Sequence, residues 1–563
     1  MDNVVAGGRG RVGLYLFDVG LILAVCFLLF FWGIRAIPFY DKHEAREALV
    51  VWEMTHSGNW ILPLVNGTDI PYKPPLFHWL GALVSKSVDQ VDELTVRFPS
   101  ALLGTLGVLL VYLTGVCLWS RGAGLVSALV LSTSFQWWKT GVETRVDMTL
   151  SFCMLCCFLF FYYFYRTGGG KNKAWVFGIL LGLATLTKGP LGFLIPVFTA
   201  LIFLWLRGDF RFLKKAHPLL IIIVCAIVAG SWYGLAFWQG GKAFLLEVFR
   251  ENVQTTVGEE AGHPHPLYYY IPALFQNMAP WSPFLLSVGA FVYHYRKRSI
   301  EEGVLYLLVW FAAVFIFFSV FKEKRPVYIL PLCPAVALLM GAWWRNLKDE
   351  PSPSSLFLAR LAGYLNAALF VIASGMLLFG VMGPGLQQYV KPLLRPKDQD
   401  MLLLVGRLLD EHRAAVLFWS AALGLAGIVL ALSVKRNGWG AAIGSVTAAA
   451  AVSFFLLNHF EPYLARQYSF KAFMGRVLPE IKDEPLFFYG SPDYGVVFYA
   501  RRHVPTFQGA LEQDKAPFYL LVWERDWKNI ADKPGVILQE ASESLDRAGS
   551  QGRLFLVAVG KKN

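Results

Sequence analysis

Charge is scarce in this chain. Only 16% of its 563 residues are Asp, Glu, Lys or Arg, against 56% hydrophobic residues and a mean hydropathy of +0.49. That balance excludes an ordinary soluble globule, because too few polar side chains remain to cover a surface of this size. Cysteine is scarce too. Its seven occurrences (Cys26, Cys117, Cys153, Cys156, Cys157, Cys225 and Cys333) all fall inside apolar runs, which excludes a disulfide framework in exported loops and a thiolate metal site. Cys153, Cys156 and Cys157 share one helix face as small packing residues. No internal repeat is evident, and low complexity is confined to brief stretches such as Gly168–Gly170 and Pro351–Ser355.

What the chain has in abundance is apolar runs long enough to cross hydrocarbon, about 17 to 25 residues each. Spans are predicted near 14–34, 97–118, 122–140, 148–165, 174–188, 190–206, 218–239, 267–293, 304–321, 327–345, 360–382, 413–434 and 438–457. The fold class expected is an all-α polytopic membrane protein of about 13 transmembrane helices. The first span is too long for a cleavable signal, has no clear cleavage site and leads into an acidic, Pro-rich loop, so it is expected to stay as a helix.

Short basic loops set the orientation. Arg9 and Arg11, Arg121, Arg166 with Lys171 and Lys173, Arg207 to Lys215, Arg296 to Arg298, Arg345 with Lys348, and Lys435 with Arg436 all fall on one side, expected to be cytoplasmic. The loops at 35–96, 141–147, 240–266, 322–326 and 383–412, and the tail after 458, then lie outside. The net charge of +12 and pI near 9.2 express this bias, not a nucleic-acid partner.

Two segments differ from the spans. Residues 1–457 are expected to form the membrane domain, with 35–96 as a first extracytoplasmic juxtamembrane loop. There Ala45, Ala48, Leu49 and Trp52 recur at helical spacing, placing one stripe in the headgroup layer and the charged side on a cavity. Residues 458–563 turn charged, with short apolar runs at Leu486–Tyr489, Tyr519–Trp523, Gly535–Leu538 and Leu554–Val559. They are expected to form a small C-terminal extracytoplasmic α/β domain.

The candidate chemistry lies in the outer loops. Asp41, His43, Glu44 and Arg46 open a helical stretch, and Asp41 and Glu44 are three residues apart at its positive end. They suit a general base toward an acceptor hydroxyl, or alternatively a helix cap. Glu143, Arg145 and Asp147 crowd a span boundary, where charge demands partners; an Arg145–carboxylate pair or a cap at Asp147 are the structural options. Lys73, Lys188, Lys322, Lys324 and Arg325 are cations on the side where basic residues are disfavoured, which suits a phosphate or, alternatively, acidic headgroups. Glu247, Glu251, Asn252, His263 and His265 precede Tyr268–Tyr270, and His263 and His265 are a weak candidate for a divalent cation.

In order and spacing these motifs resemble the membrane-embedded GT-C glycosyltransferases, specifically the ArnT-like branch of the protein O-mannosyltransferase clan. The resemblance rests on His43-Glu44-Ala45-Arg46 with Met54, Gly58 and Trp60–Pro63, Lys73-Pro74-Pro75-Leu76 and Arg97-Phe98-Pro99-Ser100. It continues through Arg145-Val146-Asp147-Met148, Leu186-Thr187-Lys188-Gly189-Pro190, Glu251-Asn252, Pro280-Trp281 and Tyr328-Ile329-Leu330-Pro331. Where the family has an acidic pair, this chain has His43-Glu44, and Tyr72 replaces an acidic residue before Lys73.

The resemblance implies an inverting transfer of a sugar from a polyprenyl-phosphate donor to a lipid (lipid A-like), glycan or protein acceptor, in a bacterial inner membrane. By carry-over Glu44 is the base, with Asp41 or His43 as substitutes and Asp147 as the second acid. Lys73, Lys188, Lys322, Lys324, Arg325 and Tyr328 face the donor phosphate, and Arg46 and Arg145 position substrate. No cofactor is required beyond the divalent cation left open at His263 and His265. An oligosaccharide ligase or polymerase handling diphosphate-linked glycans is the alternative within enzymes; a lipid or solute transporter is the alternative outside them.

Overall fold

An apolar run of 20 residues in hydrocarbon has no water to bond its backbone, and helix satisfies every N–H and C=O within the run. The computed structural model follows that rule; it describes residues 2–71, 73–250, 265–295, 300–350, 352–382, 392, 399, 406–509, 517–546 and 551–560. Tyr72, Glu251, Asn252, His263 and the basic loop 296–298 lie outside the described residues.

The first helices are α1 (Asp2–Cys26, continued by a π turn over Phe27–Phe31), α2 (Lys42–Ser57), α3 (Leu76–Ser87), α4 (Glu93–Leu118), α5 (Arg121–Ser132), α6 (Phe135–Val142), α7 (Val146–Arg166), α8 (Lys171–Lys188), α9 (Leu191–Arg207), α10 (Phe212–Ala216) and α11 (Pro218–Phe249). Then come α12 (Tyr270–Asn277), α13 (Leu285–Tyr295), α14 (Glu302–Val320), α15 (Cys333–Asp349, entered through a 3-10 stretch Pro326–Leu332), α16 (Pro353–Met382), α17 (Arg413–Lys435), α18 (Trp439–Arg466) and α19 (Lys471–Ile481). The chain closes with β1 (Leu486–Tyr489), α20 (Tyr494–Ala500), β2 (Phe518–Trp523), α21 (Glu524–Trp527), β3 (Val536–Leu545) and β4 (Arg553–Val559).

Among the described residues nine helices are long and apolar enough to span a membrane, with α5 and α9 as shorter apolar ones. All thirteen expected runs are helical, but not all are single spans. The run at 122–140 breaks at Thr133-Ser134 into α5 and α6, and 267–293 breaks around Met278–Trp281 between α12 and α13. The run at 174–188 carries Lys171, Lys173 and Lys188 at its two ends.

The four strands form one sheet in the order β1-β2-β4-β3, with β1 and β2 parallel and the other neighbours antiparallel. The expected apolar runs are these strands, β3 running seven residues further. Two cores result. One fills the helical bundle, from Phe30 on the π turn through Trp137 and Phe158 to Trp310 and Trp343. The other joins α2 to the sheet unit, uniting Ala45, Ala48, Leu49 and Trp52 with Phe473, Phe488, Val496 and Leu556.

That second core corrects the placement of the α2 stripe. Its apolar face is buried against α20 and the sheet, not laid in a headgroup layer, because the C-terminal unit covers it. His503 pairs with Glu53 at 3.0 Å, and Asn66 exchanges hydrogen bonds with the Val504 backbone (2.8 and 2.9 Å). The opposite face of α2 keeps the expected relation to a cavity.

Candidate active site

Helix α2 begins where Asp41 accepts a hydrogen bond from the His43 backbone N–H at 2.8 Å, and it ends at Gly58 in the left-handed conformation. With the cap fixed, His43, Arg46 and Glu47 fall on one side. They face a cavity of about 260 Å³ at one end of the bundle. The N-terminal end of α7 contributes Thr144, Arg145, Val146, Asp147, Leu150 and Ser151; the Lys188–Leu191 turn and the Phe318–Pro331 segment complete the wall, with Lys73 and Pro74 from the first loop. Gly189 has φ +76°, and this left-handed turn reverses the chain so that α8 ends with Lys188 at the cavity.

The charges come as pairs. Lys188 Nζ donates to Asp147 Oδ1 at 2.6 Å and lies 4.6 Å from the centre of the Tyr328 ring. Lys73 donates to Glu47, whose other oxygen is 2.6 Å from His78 Nε2. Arg145 Nε donates to Glu143 at 2.6 Å, and Arg325 Nε lies 3.2 Å from Glu323, which also accepts from the Tyr328 hydroxyl at 3.1 Å. Arg325 Nη1 stands 3.5 Å from His43 Nε2. The Arg46 guanidinium lies over the Tyr494 ring at 5.9 Å, so the sheet unit touches the cavity wall.

These surroundings tune the groups. Burial acts to raise the Glu47 carboxyl, but the Lys73 ammonium and the His78 hydrogen bond outweigh it and hold the acid well below its usual range. His43 titrates below an ordinary imidazole: lost hydration is the largest cause, opposed by Asp41 and reinforced by Arg325, Arg145 and Lys73. Although its edge is open to the cavity, that ring is neutral at neutral pH and able to accept a proton. Burial pushes Glu143 up against the pull of Arg145.

The expected base, Glu44, does not line the cavity. It is 3% exposed and forked onto Arg97, itself 1% exposed, through Nε (3.0 Å) and Nη2 (2.9 Å), and it also accepts the Thr144 N–H at 2.7 Å. Arg97 spends its remaining nitrogen on the Ile34 and Ile37 carbonyls at 2.7 and 2.6 Å. All three Arg97 nitrogens and both Glu44 oxygens are engaged. In this geometry Glu44 anchors the entry to α2 and α7 and stands outside the cavity lining, whereas the carry-over put the base there.

The other expected residues divide. His43, Arg46, Lys73, Arg145, Asp147, Lys188, Arg325 and Tyr328 converge on the cavity. Asp41 caps α2 and faces a separate crevice with Tyr468, Asp493 and Asp546. Lys322 is exposed and outside the lining, and Lys324 is buried, donating to the carbonyls of His265 (3.1 Å) and Phe321. Among the described residues no three potential ligands gather for a metal, and the His265 ring stacks on Tyr269 at 4.2 Å. Glu47 and His78 were missed. Glu47 had one signal, its place one turn past Glu44; His78 had none.

Residues 72–233 match the dolichyl-phosphate-mannose-protein mannosyltransferase family, PMT_2. The chain is 29% identical over 364 residues to undecaprenyl phosphate-alpha-4-amino-4-deoxy-L-arabinose arabinosyl transferase 2 of Proteus mirabilis, covering 63% of this chain and 64% of that protein. It is 28% identical over 417 residues to the corresponding transferase of Erwinia tasmaniensis, covering 72% of each. The alignments thus span less than two thirds of the Proteus relative and 63% of a Pseudomonas fluorescens one. The fold matches the crystal structure of ArnT from Cupriavidus metallidurans bound to undecaprenyl phosphate over 97% of this chain and 98% of that one, at TM-score 0.75 and 18% identity. The matched segment and the relatives are a likeness over part of the chain, and this multi-span membrane protein shares the ArnT fold over nearly its whole length.

Proposed function

We propose that the chain transfers a sugar from a polyprenyl-phosphate donor to an acceptor on the extracytoplasmic side of a bacterial inner membrane, with inversion. The acceptor oxygen attacks the anomeric carbon, the bond from that carbon to the phosphate oxygen breaks, and polyprenyl phosphate leaves. The observation that carries this reading is the cavity: Lys73, Lys188, Arg145 and Arg325 line one space together with an apolar stretch of wall, Leu150, Leu191, Phe318, Phe321, Val327 and Pro331. Cations stabilise charge as it develops on a departing phosphate, and the apolar wall suits the isoprenoid chain. The N-terminus of α7 adds its dipole at the same place.

With Glu44 sealed, the acceptor's proton has two destinations in the cavity. Asp147, held by Lys188, orients the acceptor hydroxyl and stabilises the electron-poor anomeric carbon; neutral His43 takes the proton. The relatives carry names of undecaprenyl phosphate arabinosyl transferases, and undecaprenyl phosphate is proposed as the carrier here. Residues 1–457 are proposed as the catalytic membrane domain and 458–563 as an extracytoplasmic domain that braces α2. The test is turnover of an undecaprenyl-phosphate-linked sugar by the purified protein with envelope lipids as acceptor. Loss of transfer in Asp147→Asn with normal membrane insertion supports the assignment, and undiminished turnover removes it.

A further inference from the structure

Lys73 reaches the cavity on a flexible four-carbon stem, and such a side chain keeps one direction only where neighbours hold it. Part of that hold comes from behind the wall. Glu47 lines the cavity and divides its two oxygens: Oε1 accepts from the Lys73 ammonium, and Oε2 lies 2.6 Å from His78 Nε2. His78 is 1% exposed and stands outside the cavity lining, so its route to the site is the Glu47 carboxylate.

The backbone fixes the spacing of these contacts. Glu47 lies on the second turn of α2 and His78 on the first turn of α3. One turn further along each helix, Gly81 meets Val51 so closely that a Cβ at position 81 would stand 3.0 Å from the Val51 side chain. That approach brings the imidazole within reach of the carboxylate, and Pro74 and Pro75 restrict the link from Lys73 into α3. Glu47 is held well below the usual carboxylate range, and an ionised carboxylate only accepts, so His78 Nε2 carries the hydrogen and donates. A donor fixed in this way stops the carboxylate from turning, and the carboxylate in turn directs the ammonium.

Resting on the donor reading above, we infer that His78 is a positioning residue for transfer: from behind the wall it fixes Glu47 and, through Glu47, aims Lys73 at the donor phosphate. What position 78 must supply is an N–H at the place of Nε2.

The test uses the purified full-length protein in detergent at pH 7 and reads the Kd of undecaprenyl phosphate by native mass spectrometry. His78→Phe keeps a ring and removes the donor, whereas His78→Gln sets an amide N–H near the place of Nε2. His78→Phe is expected to weaken binding about 2- to 12-fold, the range for one hydrogen bond, and His78→Gln to recover most of that loss. In a Lys73→Met background, where no ammonium is left to aim, His78→Phe is expected to cause no further loss, because coupled residues are not additive. A purely structural role would weaken both backgrounds alike. If His78→Phe fails to insert, His78→Asn takes its place, since its amide ends short of the Nε2 position and the same loss is expected. Wild-type affinity in the variant without the donor, an equal loss in the Lys73→Met background, or no recovery in His78→Gln overturns the inference and leaves the donor site standing. If undecaprenyl phosphate does not bind, or binds Lys73→Met as tightly as the wild type, the donor reading falls, and the inference with it.

Discussion

Glu44 and Glu47 sit three residues apart on α2, both buried and both tied to cations, yet they belong to different regions of the molecule. Glu44 is locked in a knot with Arg97, the Thr144 N–H and two loop carbonyls, where no further group can enter. Glu47 belongs to the cavity wall, where Lys73 bridges it to open space. The sealed knot sets backbone positions; the open pairs hold cations in readiness for an anion. An ion pair's role follows from what else can reach it.

Substitutions can break that contrast. The largest expected effect is on the knot: Glu44→Ala or Arg97→Leu leaves a buried charge without its partner and costs about 3–5 kcal/mol, read as a lower unfolding midpoint of the purified protein. A midpoint equal to that of the wild type would return Glu44 to the list of free acids. Asp147→Asn is expected to do the reverse, lowering transfer by about 10²- to 10³-fold, the range for one lost electrostatic contact to the transition state, with an unfolding midpoint close to wild type. Lys73→Met is expected to raise the donor KM about 10- to 100-fold, the equivalent of about 1.5–3 kcal/mol for a hydrogen bond to a charged group, with kcat less affected. Equal losses in kcat and kcat/KM, with KM unchanged, would instead place the Lys73 contact in the transition state alone.

Acidity sharpens the comparison further. Glu47 titrates below its unfolded value, so its contribution to stability is fully present above about pH 4.3 and disappears as pH falls through the depressed folded value. Glu47→Gln should remove that part of the acid dependence. His43 shifts in the same direction: its folded pKa lies below about 6.5, the unfolded chain takes up the proton first, and transfer should fall as pH drops through that lowered value. A pH–rate profile of His43→Gln that keeps the same acidic limb would contradict its role. The smallest effect belongs to the other end of the bundle, where Arg166 reaches Glu302 at 3.1 Å from a largely exposed position. Arg166→Gln is expected to change stability by less than about 1 kcal/mol and leave transfer untouched.

Much of this was legible in the sequence because membrane physics writes itself in composition. Apolar runs became helices, alternating short runs became strands, and three of the five cations expected on the outer side, Lys73, Lys188 and Arg325, converged on one cavity where an anion would need them. What stayed hidden depends on contacts distant in sequence. Nothing local to α2 says that Arg97 turns toward Glu44 and not Glu47, since both acids share a helix side. Likewise, the Ala45–Trp52 stripe has the periodicity of an interfacial helix, and only the arrival of α20 some 450 residues later makes it a protein core. Lys324 shows the same limit: in sequence it matches Lys73, but its ammonium is used up on backbone carbonyls.

The most direct measurement is the affinity of undecaprenyl phosphate for the purified protein and for Lys73→Met and Arg166→Gln, followed by native mass spectrometry. The account requires binding to the wild type, a loss of about tenfold or more with Lys73→Met, for a charge-assisted contact, and no change with Arg166→Gln. Equal binding by all three, or loss only at Arg166, would contradict it.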